Sequence, residues 1–183
     1  MIRSLVLCAL LALLVAGCGS SGGSGSTEIS GVEVGTTETL DLTKADPSFS
    51  LDLVVPAGAT AEAGGTDAVD VHVTKDYDLT VTRIAGSTSS AILAASQKLL
   101  TSGLFRNVKV LSRTAGGFVY RWQLPTAKEP MVSFYRVLPG AGGELYRVGD
   151  GPSTAALTGG RAGAQFSEQL ARAVDRIVGR STS

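Results

Sequence analysis

The sequence predicts an α+β domain, an antiparallel meander sheet covered by two amphipathic helices. Three observations carry this. Apolar residues alternate with polar ones through much of Ser48–Ile84 and again after Leu104, the period of half-buried strands. The period changes twice to that of a helix, over Gly86–Gly103 and over the last stretch from Ala162 to Arg180. Glycine and proline clusters separate the segments. Strands, helix, meander, helix is the order of a sheet packed against helices. The pattern leaves open whether both helices share one face or lie on opposite faces as an α/β/α sandwich.

Taken in order, "SFSLDLVVPAG" places Phe49, Leu51, Leu53 and Val55 on one side of a strand that Pro56 ends, since proline cannot donate to a ladder. "EAGGTDA", Glu62 to Ala68, reads as a turn cluster. Val69, Val71 and Val73, then Tyr77, Leu79 and Val81, predict two short strands around a tip at Lys75-Asp76. The first helix sets Ile92, Leu93, Ser96, Leu99 and Leu100 at helical spacing, with caps in Ser87–Ser90 and a stop at Gly103. "LFRNVKVLSR", "FVYRWQL", "MVSFYRVL" and "ELYRVG" are four strands, the last two joined by the glycine turn "PGAGG". Phe166, Leu170, Ala173, Val174, Ile177 and Val178 form the stripe of the last helix, and Arg172, Arg176 and Arg180 gather toward its C-terminal end, where cations suit the helix dipole.

The beginning of the chain speaks of location. Arg3 precedes an apolar run, Leu5–Ala16. Such a run is shorter than the roughly twenty residues of a membrane span and has the layout of a secretory signal. Val15-Ala16-Gly17-Cys18 resembles the lipobox of bacterial lipoproteins. That resemblance implies cleavage before Cys18, a diacylglyceryl thioether on its sulfur, and acylation (palmitate or a similar chain) of the new amino group. Multiple acyl chains meet the demand of stable anchoring, which a single chain does not. Cys8 leaves with the leader, so the mature chain has no disulfide. Gly19–Ser26 contains only Gly and Ser, the composition of a flexible coil. Ile29, Val32 and Val34 either continue that coil or make a short edge strand. The domains expected are therefore residues 1–17 as signal peptide, 18–38 as lipidated cysteine and tether, and 39–183 as one globular unit. Gly19 is not the Asp associated with inner-membrane retention, which favours the outer membrane facing the periplasm.

Removing 17 of 183 residues leaves 166, one domain's worth. Cations and carboxylates balance at 16 each, and no basic stripe of the nucleic-acid-binding kind stands out. The opening strand ending in "VVPAG", the middle helix, the meander and the terminal helix resemble the PsbP-like superfamily over about residues 39–183. The chain departs from it at Ala59 and Thr60, where members often carry an aromatic. The resemblance implies a sheet with helices on both sides and binding to proteins without catalysis. It assigns no functional residue.

Chemistry is sparse. His72, the single histidine, lies between Val71 and Val73 and so points away from the valine face, toward solvent. No zinc-type spacing and no G-x-S-x-G elbow occurs. Asp67, Asp70, Asp76 and Asp78 lack the EF-hand order and read as charges that discourage edge pairing. "TGGRAG", Thr158–Gly163, lacks the strand a phosphate loop requires and reads as the entry to the last helix. Catalytic, cofactor and metal residues are accordingly expected to be none. Arg121, Arg136 and Arg147, each beside Tyr120, Tyr135 or Tyr146 ("YRW", "YRV", "YRV"), form an interface patch if they project from one sheet face; otherwise they shield the sheet. The expectation is a membrane-anchored, non-catalytic envelope lipoprotein that binds or scaffolds a protein partner. The alternatives are a carrier for a small apolar ligand, which requires a cavity of several hundred Å³ between sheet and helix, and a hydrolase using His72 or the Asp67–Asp78 group.

Overall fold

The computed structural model describes residues 28–29, 32–33, 36–74, 77–128, 130–150 and 168–181. The fold is α+β. A minute ladder joins β1 (Glu28–Ile29) to β2 (Val32–Glu33). Strands β3 (Thr37–Asp41) and β4 (Asp52–Pro56) make a separate antiparallel hairpin, with a 3-10 turn at Leu42–Lys44 capped by Asp41. The main sheet has seven strands: β5 (Thr60–Gly65), β6 (Ala68–Thr74), β7 (Tyr77–Ile84), β8 (Arg106–Thr114), β9 (Gly117–Gln123), β10 (Met131–Pro139) and β11 (Leu145–Asp150). Its order is β5-β6-β7-β11-β10-β9-β8, and every pair is antiparallel. Two meanders thus meet where the last strand pairs with β7. The helices are α1 (Ser89–Leu100) and α2 (Glu168–Val178).

The two helices cover opposite faces, because period-two alternation sends neighbouring side chains to opposite sides. On one face Val69, Leu79, Val148, Phe134 and Val119 form a single core with Leu170, Ala171, Val174 and Val178 of α2. The β3–β4 hairpin completes that layer with Leu42, Phe49, Leu51, Leu53 and Val55. The Ser181 hydroxyl accepts from the Val54 N–H at 2.9 Å, tying hairpin to helix. On the other face Phe118, Tyr120, Trp122 and Met131 pack with Leu100, against which Leu93 and Phe105 rest. Tyr135 lies directly across from Gly149, and a Cβ there would meet the tyrosine ring at 2.7 Å. The glycine gives the ring its place, where it stacks on Tyr120 with centroids 5.3 Å apart.

Three expectations are corrected. The Glu62–Ala68 turn cluster is largely strand: small side chains let Thr60–Gly65 pair with β6, and only Thr66-Asp67 turn, Asp67 with φ of 55°. The opening strand ends at Pro56 as expected but begins only at Asp52, with Phe49 and Leu51 buried from the loop before it. In α1 the buried stripe is Ile92, Ser96 and Leu100, while Leu99 points outward, 48% exposed, because the helix rests only on the β8–β10 half of its face. Thr88 supplies the N-cap, its hydroxyl accepting from the Ala91 N–H at 3.2 Å. Phe166, Thr158–Gly163 and Cys18 lie outside the described residues.

Candidate interaction surfaces

The six residues expected as an interface are divided by the strand register. Arg121 and Arg136 point to the α2 face with Val119 and Phe134, whereas Arg147 points to the α1 face. The one-face condition for the patch is therefore not met. Arg136 is held by α2: its Nε and Nη2 each donate to an Asp175 carboxylate oxygen at 2.8 Å, and both side chains are largely buried. Arg147 lies over the Tyr135 ring at 5.5 Å. Tyr120 is buried, which pushes its hydroxyl pKa well up. Tyr146 is fully buried, and its hydroxyl accepts the Ser50 N–H at 2.8 Å. Of the six, Arg121 alone stands exposed on its strand.

His72 does face away from its valines and is half-exposed. It is not idle. Its Nδ1 lies 2.8 Å from Asp78 Oδ1 and its Nε2 lies 3.1 Å from Glu62 Oε1, and the two hydrogen bonds, Asp78 first, raise its pKa. Asp70 accepts from the Thr80 hydroxyl at 2.9 Å, and Asp67 pairs with Arg83. Asp76 lies outside the described residues. Among the described residues no group of three or more His, Cys, Asp or Glu side chains has the geometry to hold a metal ion.

Besides Asp175, a second buried acid has no signal in the sequence. Asp150 closes β11 on the α2 face, only 6% exposed. Its Oδ1 accepts the Phe134 N–H at 2.7 Å, and its Oδ2 accepts the Tyr77 hydroxyl at 3.2 Å. Desolvation pushes its pKa up to about 7, against the downward pull of those two donors. Both oxygens are occupied and the surroundings are core, so the group serves the fold. It satisfies a β10 amide where β11 stops.

The two ends of the sheet differ sharply. At the β8 end, Lys109 and Arg121 are directly opposed across β8 and β9. They line an open groove of about 500 Å³ with Asn107, Val108 and Pro130. Like charges placed so are destabilising by themselves. Gln123 pairs with Arg106 and donates to the carbonyls of Ala127 and Lys128, which brings those cations to the same corner. No carboxylate among the described residues pairs with any of these four cations. The sequence carries the signal: from Leu79 to Gly143 there are eight cations and one carboxylate, Glu129. At the other end, β5 has Ala61, Ala63, Gly64 and Gly65 and a single charge, Glu62, set opposite Asp70.

Edge strands are normally guarded by bulges, charges and Pro. Strand β8 has such guards: two register shifts, a left-handed Asn107 (φ 53°), and Arg106, Lys109 and Arg113. Strand β5 has one irregularity, between Ala63 and Gly65, and no Lys, Arg or Pro. No family model, no curated protein and no solved structure matches this chain.

Proposed function

We propose that the chain is a lipid-anchored cell-envelope protein, tethered through Cys18, whose domain acts without catalysis by docking a protein partner. The observation that carries the docking is the outer edge of β5, which among the described residues pairs with no further strand and carries no Lys, Arg or Pro. Its regular part, Thr60–Ala63, offers strand-forming backbone with small side chains that let another backbone approach. Strand addition of this kind takes its affinity from main-chain hydrogen bonds. Glu62 and Asp70 beside the edge favour an extended partner segment that carries Lys or Arg. The element order, which resembles the PsbP-like superfamily, supports the same non-catalytic reading. The layer between sheet and α2 is filled by Tyr77, Leu79, Phe134, Val148 and Val174, each at most 1% exposed, which disfavours an apolar carrier site there.

The test is in-cell photocrosslinking from position 63, with position 94 on the exposed side of α1 as control and Cys18→Ala as the unanchored form. A discrete envelope-protein adduct from position 63 alone, weakened in Cys18→Ala, supports the reading. Identical adducts from both positions, or none from position 63, refute strand addition at this edge.

A further inference from the structure

We infer that His72 is a proton-operated gate on the docking edge: protonated, it holds the Glu62 carboxylate, and neutral, it yields that carboxylate to a Lys or Arg of the strand added at β5. This gate rests on strand addition at β5 being the mode of docking.

The geometry is a row across three strands. His72 sits on β6, Glu62 on the edge strand β5 and Asp78 on β7. Asp78 lies directly opposite His72, its Oδ1 2.8 Å from Nδ1. Glu62 reaches the ring diagonally: Thr60 is the residue opposite His72, yet Glu62 Oε1 lies 3.1 Å from Nε2. An imidazolium donates from both ring nitrogens, whereas the neutral ring has one N–H. The row is complete only with the proton in place. Asp78 is the closer and less exposed acceptor, its side chain 34% exposed against 69% for Glu62, and it keeps the single N–H of the neutral ring. The Nε2 lone pair then faces the Glu62 carboxylate with no proton between them, and Glu62 is released.

Among the described residues, the charged groups facing the ring are Glu62 from β5, Asp78 from β7 and Asp70, two places back on β6. Asp70 also leans over the edge strand: a Cβ on Gly64 would meet its Oδ2 at 2.7 Å. A partner residue paired opposite Glu62 has its Cβ about 5 Å away, nearer than the diagonal spacing of about 7–8 Å. Its cation meets a carboxylate that His72 has let go, and Asp70 adds to the attraction. With the proton on, the imidazolium occupies Glu62 and repels the incoming charge. Docking of a basic segment therefore strengthens as pH rises through the His72 titration.

The probe is a labelled, end-capped octapeptide of alternating Lys and Val. Strand side chains alternate, so its valines fall beside Ala61, which packs on the core, when its lysines fall beside Glu62. Affinity for residues 19–183, which contain every described residue, is read by fluorescence anisotropy at low salt from about pH 5.5 to about pH 8.5, across the histidine range. It should rise about threefold, the effect of removing one unit charge roughly 6 Å away in water. The rise should vanish in His72→Gln, in which every other titrating group is kept. A second measurement needs no partner: the NMR midpoint of His72 should fall in Glu62→Gln. An unchanged midpoint overturns the gate on the chain alone. So does an affinity that stays flat in wild type or rises equally in His72→Gln. Absence of peptide binding at every pH overturns the partner chemistry, whatever the midpoint does. Crosslinking from position 63 decides strand addition separately: with a fallen midpoint and no adduct, the docking fails while the His72–Glu62 contact stands.

Discussion

Asp150→Asn should flatten the dependence of stability on pH. The folded carboxyl has its pKa raised from 3.8 to about 7, chiefly by desolvation. A raised pKa means the folded state holds the proton more tightly than the unfolded one. The contribution is fully present below about pH 4 and is lost as pH climbs through 7. Integrating between pH 5 and pH 8 gives a loss of about 3 kcal/mol, a large share of the marginal stability of a domain this size. The asparagine is isosteric. Its Oδ1 keeps the Phe134 N–H, and its amide can donate to the Tyr77 oxygen. Tyr77 and the Arg136–Asp175 pair are common to both proteins and drop out of the difference. Urea denaturation of residues 19–183 at pH 5, 6, 7 and 8, with constant m, measures it. The variant should gain on wild type steadily as pH rises. Parallel curves would refute a buried, proton-holding Asp150.

Other outcomes follow from the same contacts. Arg136→Ala strands the largely buried Asp175 and should cost about 3–5 kcal/mol by denaturation, while Arg136→Met with Asp175→Leu should recover most of it. His72 should titrate above 6.5 by NMR, and its midpoint should fall when Asp78 is changed to Asn; its stabilisation is present at low pH and lost as pH rises through the folded value. Gly149→Val should displace the Tyr135 ring from Tyr120 and lower the melting temperature, because the side chain would enter the space that ring fills. Cys18→Ala should release the chain from cell membranes; full sedimentation of that variant with membranes rules out the anchor.

Most of the secondary structure was legible because alternation and helical spacing are local signals. Val69, Val71 and Val73 facing one way and His72 the other needed no tertiary information. Strand β5 was missed because Ala and Gly carry little strand signal of their own; pairing with β6 makes it a strand. The junction of β7 with β11 joins residues such as Val81 and Val148, far apart in sequence, which no periodicity encodes. The arginine patch failed on register: one residue of offset sends Arg147 to the face opposite Arg136. Asp150 was invisible because its burial depends on where β11 ends against β10. The charge bias from Leu79 to Gly143 was in plain view, yet single cations spaced along strands look dispersed until β8 and β9 pair and set Lys109 against Arg121.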